Sequence, residues 1–205
     1  ASNIYVEVNV SFNELMVNNR SVIADEAGEY EPWIELYNAG CHTINLEGLY
    51  LSDVASDPRR WRFPSVDVQP GGFVIVWGDD EVGEGELHTN FRLSPEGGSI
   101  LLFDTDTNVN TPLDAFRFKE QAPDVSLGRH PNGVGPWDIL RIPTPGAINI
   151  RPQLYINEIM ARNRSTITDE AGGYDDWIEL YNATSKPINL EGMFLSDDLA
   201  NSTKW

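Results

Sequence analysis

The chain has 205 residues, of which 32 are acidic and 14 basic, giving a formal charge of −18. Nucleic acid and anionic membrane surfaces would be repelled unless a local basic strip existed, and Lys and Arg gather no further than Arg59, Arg60 and Arg62. At 40% hydrophobic and 10% aromatic residues the chain is too apolar for disorder, and its length suffices to bury about two thirds of the unfolded surface. One cysteine, Cys41, leaves no intrachain disulfide, so packing must supply the stability. No run approaches the ~18 continuous apolar residues of a membrane span, so no membrane insertion is expected. The start at Ala1, without a charged or apolar leader, is what a processed or trimmed chain would show.

In chain order, the turn Asp25-Glu26-Ala27-Gly28 comes first. Its carboxylates are candidates for Ca²⁺, and the plainer reading is an acidic loop tip with Gly28 at positive φ. In Trp33–Asn38, Ile34 and Leu36 share one strand face, and Trp33, Glu35 and Tyr37 share the other. A carboxyl between aromatics could have a raised pKa and serve as an acid, but no second carboxylate can be paired with Glu35 from the sequence. It is therefore read as a polar contact at a sheet edge or a solvent-facing group. Ile44 and Leu46 alternate with polar residues, Gly48 marks a bulge or close approach, and Leu49–Leu51 continue the strand to a turn at Ser52-Asp53. Phe73–Trp77 follows Pro70-Gly71-Gly72 and is apolar on both faces, the pattern of a covered central strand. Trp33, Trp61 and Trp77 could stack on sugars, but a sandwich without a disulfide needs such rings between its sheets.

His88, His130 and His42 are the whole histidine supply, and their spacing suggests no zinc site. Ile100–Phe103 and Ala115–Phe118 form a hairpin across a polar loop. In that loop Asp104, Asp106 and Asn108 copy the first half of an EF-hand, with Asp114 as a possible further ligand. Val109 stands where that motif needs Gly, Ala115 where it needs Glu, and the flanks are strands, so a polar hairpin loop is the default. No metal site is favoured and no cofactor is expected, Ca²⁺ being the one candidate. Nor is there a nucleophile elbow, a phosphate-cradling glycine loop or a usable Cys–His pair, so the chain is not read as an enzyme. Residues 143–153, PTPGAINIRPQ, deny both helix and central strand and read as a linker or terminal crossing segment.

The most informative feature is internal. Residues 12–61 align without a gap on 156–205 at a constant offset of 144, with about 28 of the 50 positions identical, which marks a repeat of domain size. The expected organisation is a complete first copy in residues 1–150 and the amino-terminal part of a second in 151–205. Short strands separated by turn residues make the class all-β: an immunoglobulin-like β-sandwich followed by a partial second sandwich.

The sequence resembles the lamin tail domain family, on FNELM and INEIM, the DEAG turn followed by WIELYN, and INLEG with LSD. PGGFVIVWG, LHTNFRLS, SLGRHPNGVGPW and the closing TPGAIN extend it. The likeness covers about residues 10–150 as a full domain and 154–205 as the start of another. It is to the prokaryotic, exported branch: a heptad rod, a basic import cluster and a prenylation box are all missing from these residues. The resemblance implies an immunoglobulin-like fold and a secreted or cell-surface accessory role in a bacterium or archaeon. Half a sandwich exposes apolar faces and unpaired edges, so residues 154–205 are expected to need a complement. A protein partner, or self-association of residues 154–205 by strand exchange or edge addition, would supply it. The alternative is a polysaccharide- or calcium-binding accessory module of a larger surface enzyme.

Overall fold

A computed structural model describes residues 9–150, 153–198 and 200–205. By contacts the chain divides into two compact units, Ala1–Arg151 and Pro152–Trp205. Among the described residues there is no α-helix; apart from one 3₁₀ turn at Asp106–Asn108, every regular element is a strand.

The first unit carries β1 (Val10–Met16), β2 (Trp33–Asn38), β3 (Ile44–Asn45), β4 (Tyr50–Ser52), β5 (Trp61–Arg62) and β6 (Asp67–Val68). It continues through β7 (Phe73–Trp77), β8 (Gly97–Phe103), β9 (Pro112–Lys119), β10 (Ser126–Arg129) and β11 (Trp137–Leu140). A five-stranded sheet in the order β11-β10-β1-β2-β7 faces a four-stranded sheet in the order β5-β4-β8-β9, while β3 and β6 pair separately. All ladders are antiparallel. One core lies between the sheets, with Phe12, Leu15, Ile34, Leu36, Val74 and Val76 from one layer and Leu51, Trp61, Ile100, Leu102 and Phe118 from the other. This is the immunoglobulin-like sandwich that the spacing of the strands predicts.

A bulge in β1 sets up everything on the sheet's other face. Phe12 pairs with Leu36 and Glu14 with Glu35, leaving Asn13 as the extra residue. Phe12 and Leu15, three apart, therefore both enter the core, and the two polar residues between them are turned away from it. Strict alternation would have sent one of them inward.

Several local expectations change in three dimensions. Phe73–Trp77 is the outermost strand of its sheet instead of a central one. Its two faces are nonetheless covered, by the core under Val74 and Val76 and by a second cluster around Ile75, and this is why it reads as apolar throughout. Its free edge is capped at one end, where Trp77 N donates to Leu87 O and Thr89 N to Trp77 O. Trp61 packs between the sheets, whereas Trp33 and Trp77 form the second cluster with Met16, on the face of β2 opposite Ile34. Ile44–Leu51 is not one strand: Gly48, at φ +83°, turns the chain from the β3-β6 pair into the four-stranded sheet.

The second unit has β12 (Leu154–Met160) and β13 (Trp177–Asn182), which form a two-stranded antiparallel sheet. Their register repeats that of β1 and β2, with Glu158 opposite Glu179 and the bulge between Ile156 and Glu158.

Candidate functional site

The outer face of the five-stranded sheet holds two wholly buried carboxylates, Glu14 and Glu35. Glu35 Oε1 accepts from Asn13 Nδ2 at 2.8 Å and Oε2 from the Gly146 amide at 2.5 Å. Glu14 accepts from Ser126 Oγ at 2.5 Å, the Thr144 amide at 3.0 Å and Thr144 Oγ1 at 2.9 Å. Asn149 completes the closure by donating to Asn13 O at 3.0 Å and Arg129 O at 2.8 Å. Desolvation pushes the Glu35 carboxyl up to about 7, against the two hydrogen bonds that favour its charge, and the nearby Glu14 adds to the rise. Glu14 is raised as well, again chiefly by desolvation. Glu35 thus lies on a strand flanked on both sides, neither at a sheet edge nor in solvent. Its perturbed pKa belongs to a closed network whose role is to tie down the chain around Thr144–Asn149. That segment, expected as a linker or crossing, is an integral strap of the first unit; Arg151 and Pro152 beyond it lie outside the described residues.

The EF-hand-like residues occupy the β8–β9 loop, and each carboxylate oxygen there is engaged by the protein. Asp104 accepts from the Thr105 amide and Asn108 Nδ2, at 2.7 and 2.9 Å. Asp106 pairs with Arg59 Nε at 2.7 Å and accepts from Asn110 and Tyr50, and these contacts, that with Asn110 foremost, hold its carboxyl below the ordinary range. Asp114 faces elsewhere, taking Arg129 at 2.8 Å and the Phe12 amide at 3.0 Å. None of the three aspartates falls in a group of three or more acidic, His or Cys side chains that converge among the described residues.

His88, by contrast, converges with the Asp25–Gly28 turn, a pairing that a separation of some sixty residues hides in the sequence. Its ring is sealed in the fold, with Nδ1 2.5 Å from Asp79 Oδ2 and Nε2 3.2 Å from Glu26 Oε2. Desolvation, the largest influence, opposes the imidazolium, but the hydrogen bonds to Glu26 and Asp79 together outweigh it and the pKa is raised.

In the second unit the local contacts of the first are copied. Asn163 Nδ2 donates to Ile167 O and Asp175 O as Asn19 does to Ile23 O and Glu31 O. Asn157 donates to Glu179 as Asn13 does to Glu35, and Trp205 exchanges backbone hydrogen bonds with Leu195 as Trp61 pairs with Leu51. Burial is not copied. Phe12, Leu15, Ile34 and Leu46 are each 0% exposed, while their counterparts Ile156, Ile159, Ile178 and Leu190 are 55, 61, 48 and 47% exposed. Ile156, Leu180, Met193, Phe194 and Trp205 line an apolar groove of about 480 Å³.

The family model of the lamin tail domain matches residues 5–119. The chain belongs to the lamin tail domain family. The matched residues reach from before β1 to the end of β9 and lie within the first unit. No curated protein and no solved structure matches the chain. In this lamin tail domain, β10, β11 and the Thr144–Asn149 strap follow the matched span; β10 and β11 extend the sheet beside β1, and the strap closes the face that β1 and β2 present.

Proposed function

We propose that the chain is a non-catalytic interaction module of an exported or cell-surface protein. On this reading it is built of tandem lamin tail units and self-associates through residues 154–205. One observation carries the reading: β12 and β13 reproduce β1 and β2 in sequence, register and local hydrogen bonds, yet hold outward the side chains that the first unit buries. At roughly 25 cal/mol per Å², a face of this kind is a strong drive to association.

The occupant that fits is the same face on a second copy. Exchange of β7 to β10 between copies would empty one first-unit acceptor for each second-unit acceptor it filled, so it gains nothing net. Isologous pairing of two 154–205 faces covers both at once and opens neither first unit. The free edges of β12 and β13 allow the strands to extend across the two-fold axis. Net acidity suits an exported chain, and a single cysteine does not oppose that reading. The test is the mass of the full chain by sedimentation equilibrium over a range of concentrations. A dimer that Ile159→Asp converts to monomer, with the first unit's fluorescence unchanged, is expected. A wild-type monomer at the highest concentration, or a dimer indifferent to Ile159→Asp, overturns the proposal.

A further inference from the structure

Beyond self-association, the first unit carries a second feature with binding chemistry. Asp25, Glu84 and His88 bring ligand atoms within 4.8 Å of one another, and Glu29, Glu81 and Glu84 form an adjoining group that shares Glu84. Carboxylates alone would be a solvated acidic surface. Two further observations separate this place from one.

The first is the histidine. His88 is 1% exposed, and its Nδ1 is held by Asp79, itself 2% exposed, at 2.5 Å. A carboxylate behind one ring nitrogen is the arrangement that fixes the tautomer and orientation of a metal-binding imidazole, leaving the other nitrogen's lone pair to the ion. Here that other nitrogen, Nε2, lies 3.2 Å from Oε2 of Glu26, the residue that follows Asp25 in the same turn. An imidazole lone pair facing a carboxylate is repulsive unless a cation, a proton or a metal, lies between them. The second is a deficit of donors. Asp25 Oδ1 is taken by the Ala27 and Glu29 amides, but Oδ2 is shut off from solvent with no hydrogen-bond partner, and Glu81 Oε2 is in the same state. Buried carboxylate oxygens without donors are costly unless a cation satisfies them.

We infer that His88 Nε2, Asp25 and Glu84 form a binding site for a first-row divalent cation of the Zn²⁺ class, with Asp79 as the positioning residue. One imidazole and two carboxylates suit Zn²⁺, Co²⁺ or Mn²⁺ and not Ca²⁺, which takes six to eight oxygens. Tetrahedral bonds of about 2.0–2.1 Å place ligand atoms about 3.4 Å apart, so from a spread of at most 4.8 Å the group needs to close by up to about 1.4 Å. Glu84 is exposed and free to make that movement. The second unit repeats the turn at Asp169–Gly172, but with His42, His88 and His130 the only histidines in the chain it has no imidazole to add. The site is therefore a property of the first unit.

The test is titration of the full chain with ZnCl₂ by calorimetry, followed by histidine ¹⁵N NMR. One equivalent should bind, the Nε2 signal of His88 alone should shift, and the unfolding temperature of the first unit should rise with Zn²⁺ concentration. Glu84→Gln alters an exposed side chain, and Asp25→Asn retains the oxygen that caps Ala27 and Glu29, so both variants keep the fold. Each should lower the affinity at least about tenfold, and Asp79→Asn should lower it through the ring, an effect of about 10-fold to 100-fold for such partners. Lack of uptake at one equivalent, equal affinity in Glu84→Gln and wild type, shifts confined to His42 or His130, or displacement by equimolar Ca²⁺ would each overturn the inference.

Discussion

Glu35 gives a measurable consequence of burying two carboxylates under the strap. Its pKa stands at about 7 in the folded chain against 4.5 for the ordinary group, so between those values the folded state holds a proton that the unfolded state has released. The stabilisation is complete below about pH 4.5 and is lost as pH rises through 7, an effect of about 3 kcal/mol at 1.36 kcal/mol per pKa unit. Glu14 and His88 are also raised, so both act in the same direction, and relief of self-repulsion in a chain of charge −18 adds to it at low pH. A difference measurement isolates Glu35. Urea unfolding at pH 5, 6, 7 and 8, followed by the fluorescence of the buried tryptophans, would be compared in wild type and Glu35→Gln. Glutamine keeps the shape and one acceptor oxygen but cannot ionise, so between pH 5 and 8 the wild-type decline should exceed that of the variant by about 2.5 kcal/mol, or somewhat less if the network relaxes. Identical pH slopes in the two proteins would refute the reasoning, since a charge that costs nothing to bury would show no dependence on its removal.

Other outcomes follow from the same geometry. Leu15→Ala, in the core between the sheets, should destabilise the first unit by about 3 kcal/mol in urea unfolding, whereas the equivalent Ile159→Ala should leave that transition in place and weaken self-association instead. Asn149→Ala strips donors from two carbonyls and an acceptor from Thr144, and should cost about 2 kcal/mol while raising amide exchange across the strap. Gly128→Ala would put a methyl 2.7 Å from Asn149 Nδ2 and closer still to Leu140, so it should lift the strap and destabilise by about 1–3 kcal/mol, read as a lower urea midpoint.

What the sequence made legible was what short-range chemistry decides. The strands around Trp33–Asn38 and Ile100–Phe103, the turn at Asp25–Gly28 and the all-β class follow from alternation and turn residues, and the repeat follows from comparing the chain with itself. What stayed hidden depends on partners distant along the chain. Phe73–Trp77 reads as central because both its faces are covered, and an alternation pattern reports faces, never edges. Glu35 reads as a sheet-edge contact or a solvent-facing group because its donors come from Asn13 and from Gly146, the latter more than a hundred residues away. The one available signal was the spacing of FNEL, in which two apolar residues three apart on a strand imply a bulge with two polar residues on its far side. His88 meeting Asp25 had no such signal, since neither residue alone differs from an ordinary surface group.

The two copies of WIELYN sharpen that distinction, because six identical residues with identical pairing differ only in what lies over them. Trp33 and Glu35 are sealed and Trp177 and Glu179 are not, although each glutamate accepts from the asparagine of its own bulge. Local hydrogen bonding therefore sets the shape of this hairpin without setting its burial. In the first unit the difference is made by β7, β10, the facing sheet and the strap, which contribute contacts the hairpin cannot generate. A hairpin that holds this register while presenting its apolar side chains would lose little to ordering when a complement covers it. On the proposed reading, that preorganisation adds to the apolar area of β12 and β13 as a ground for association.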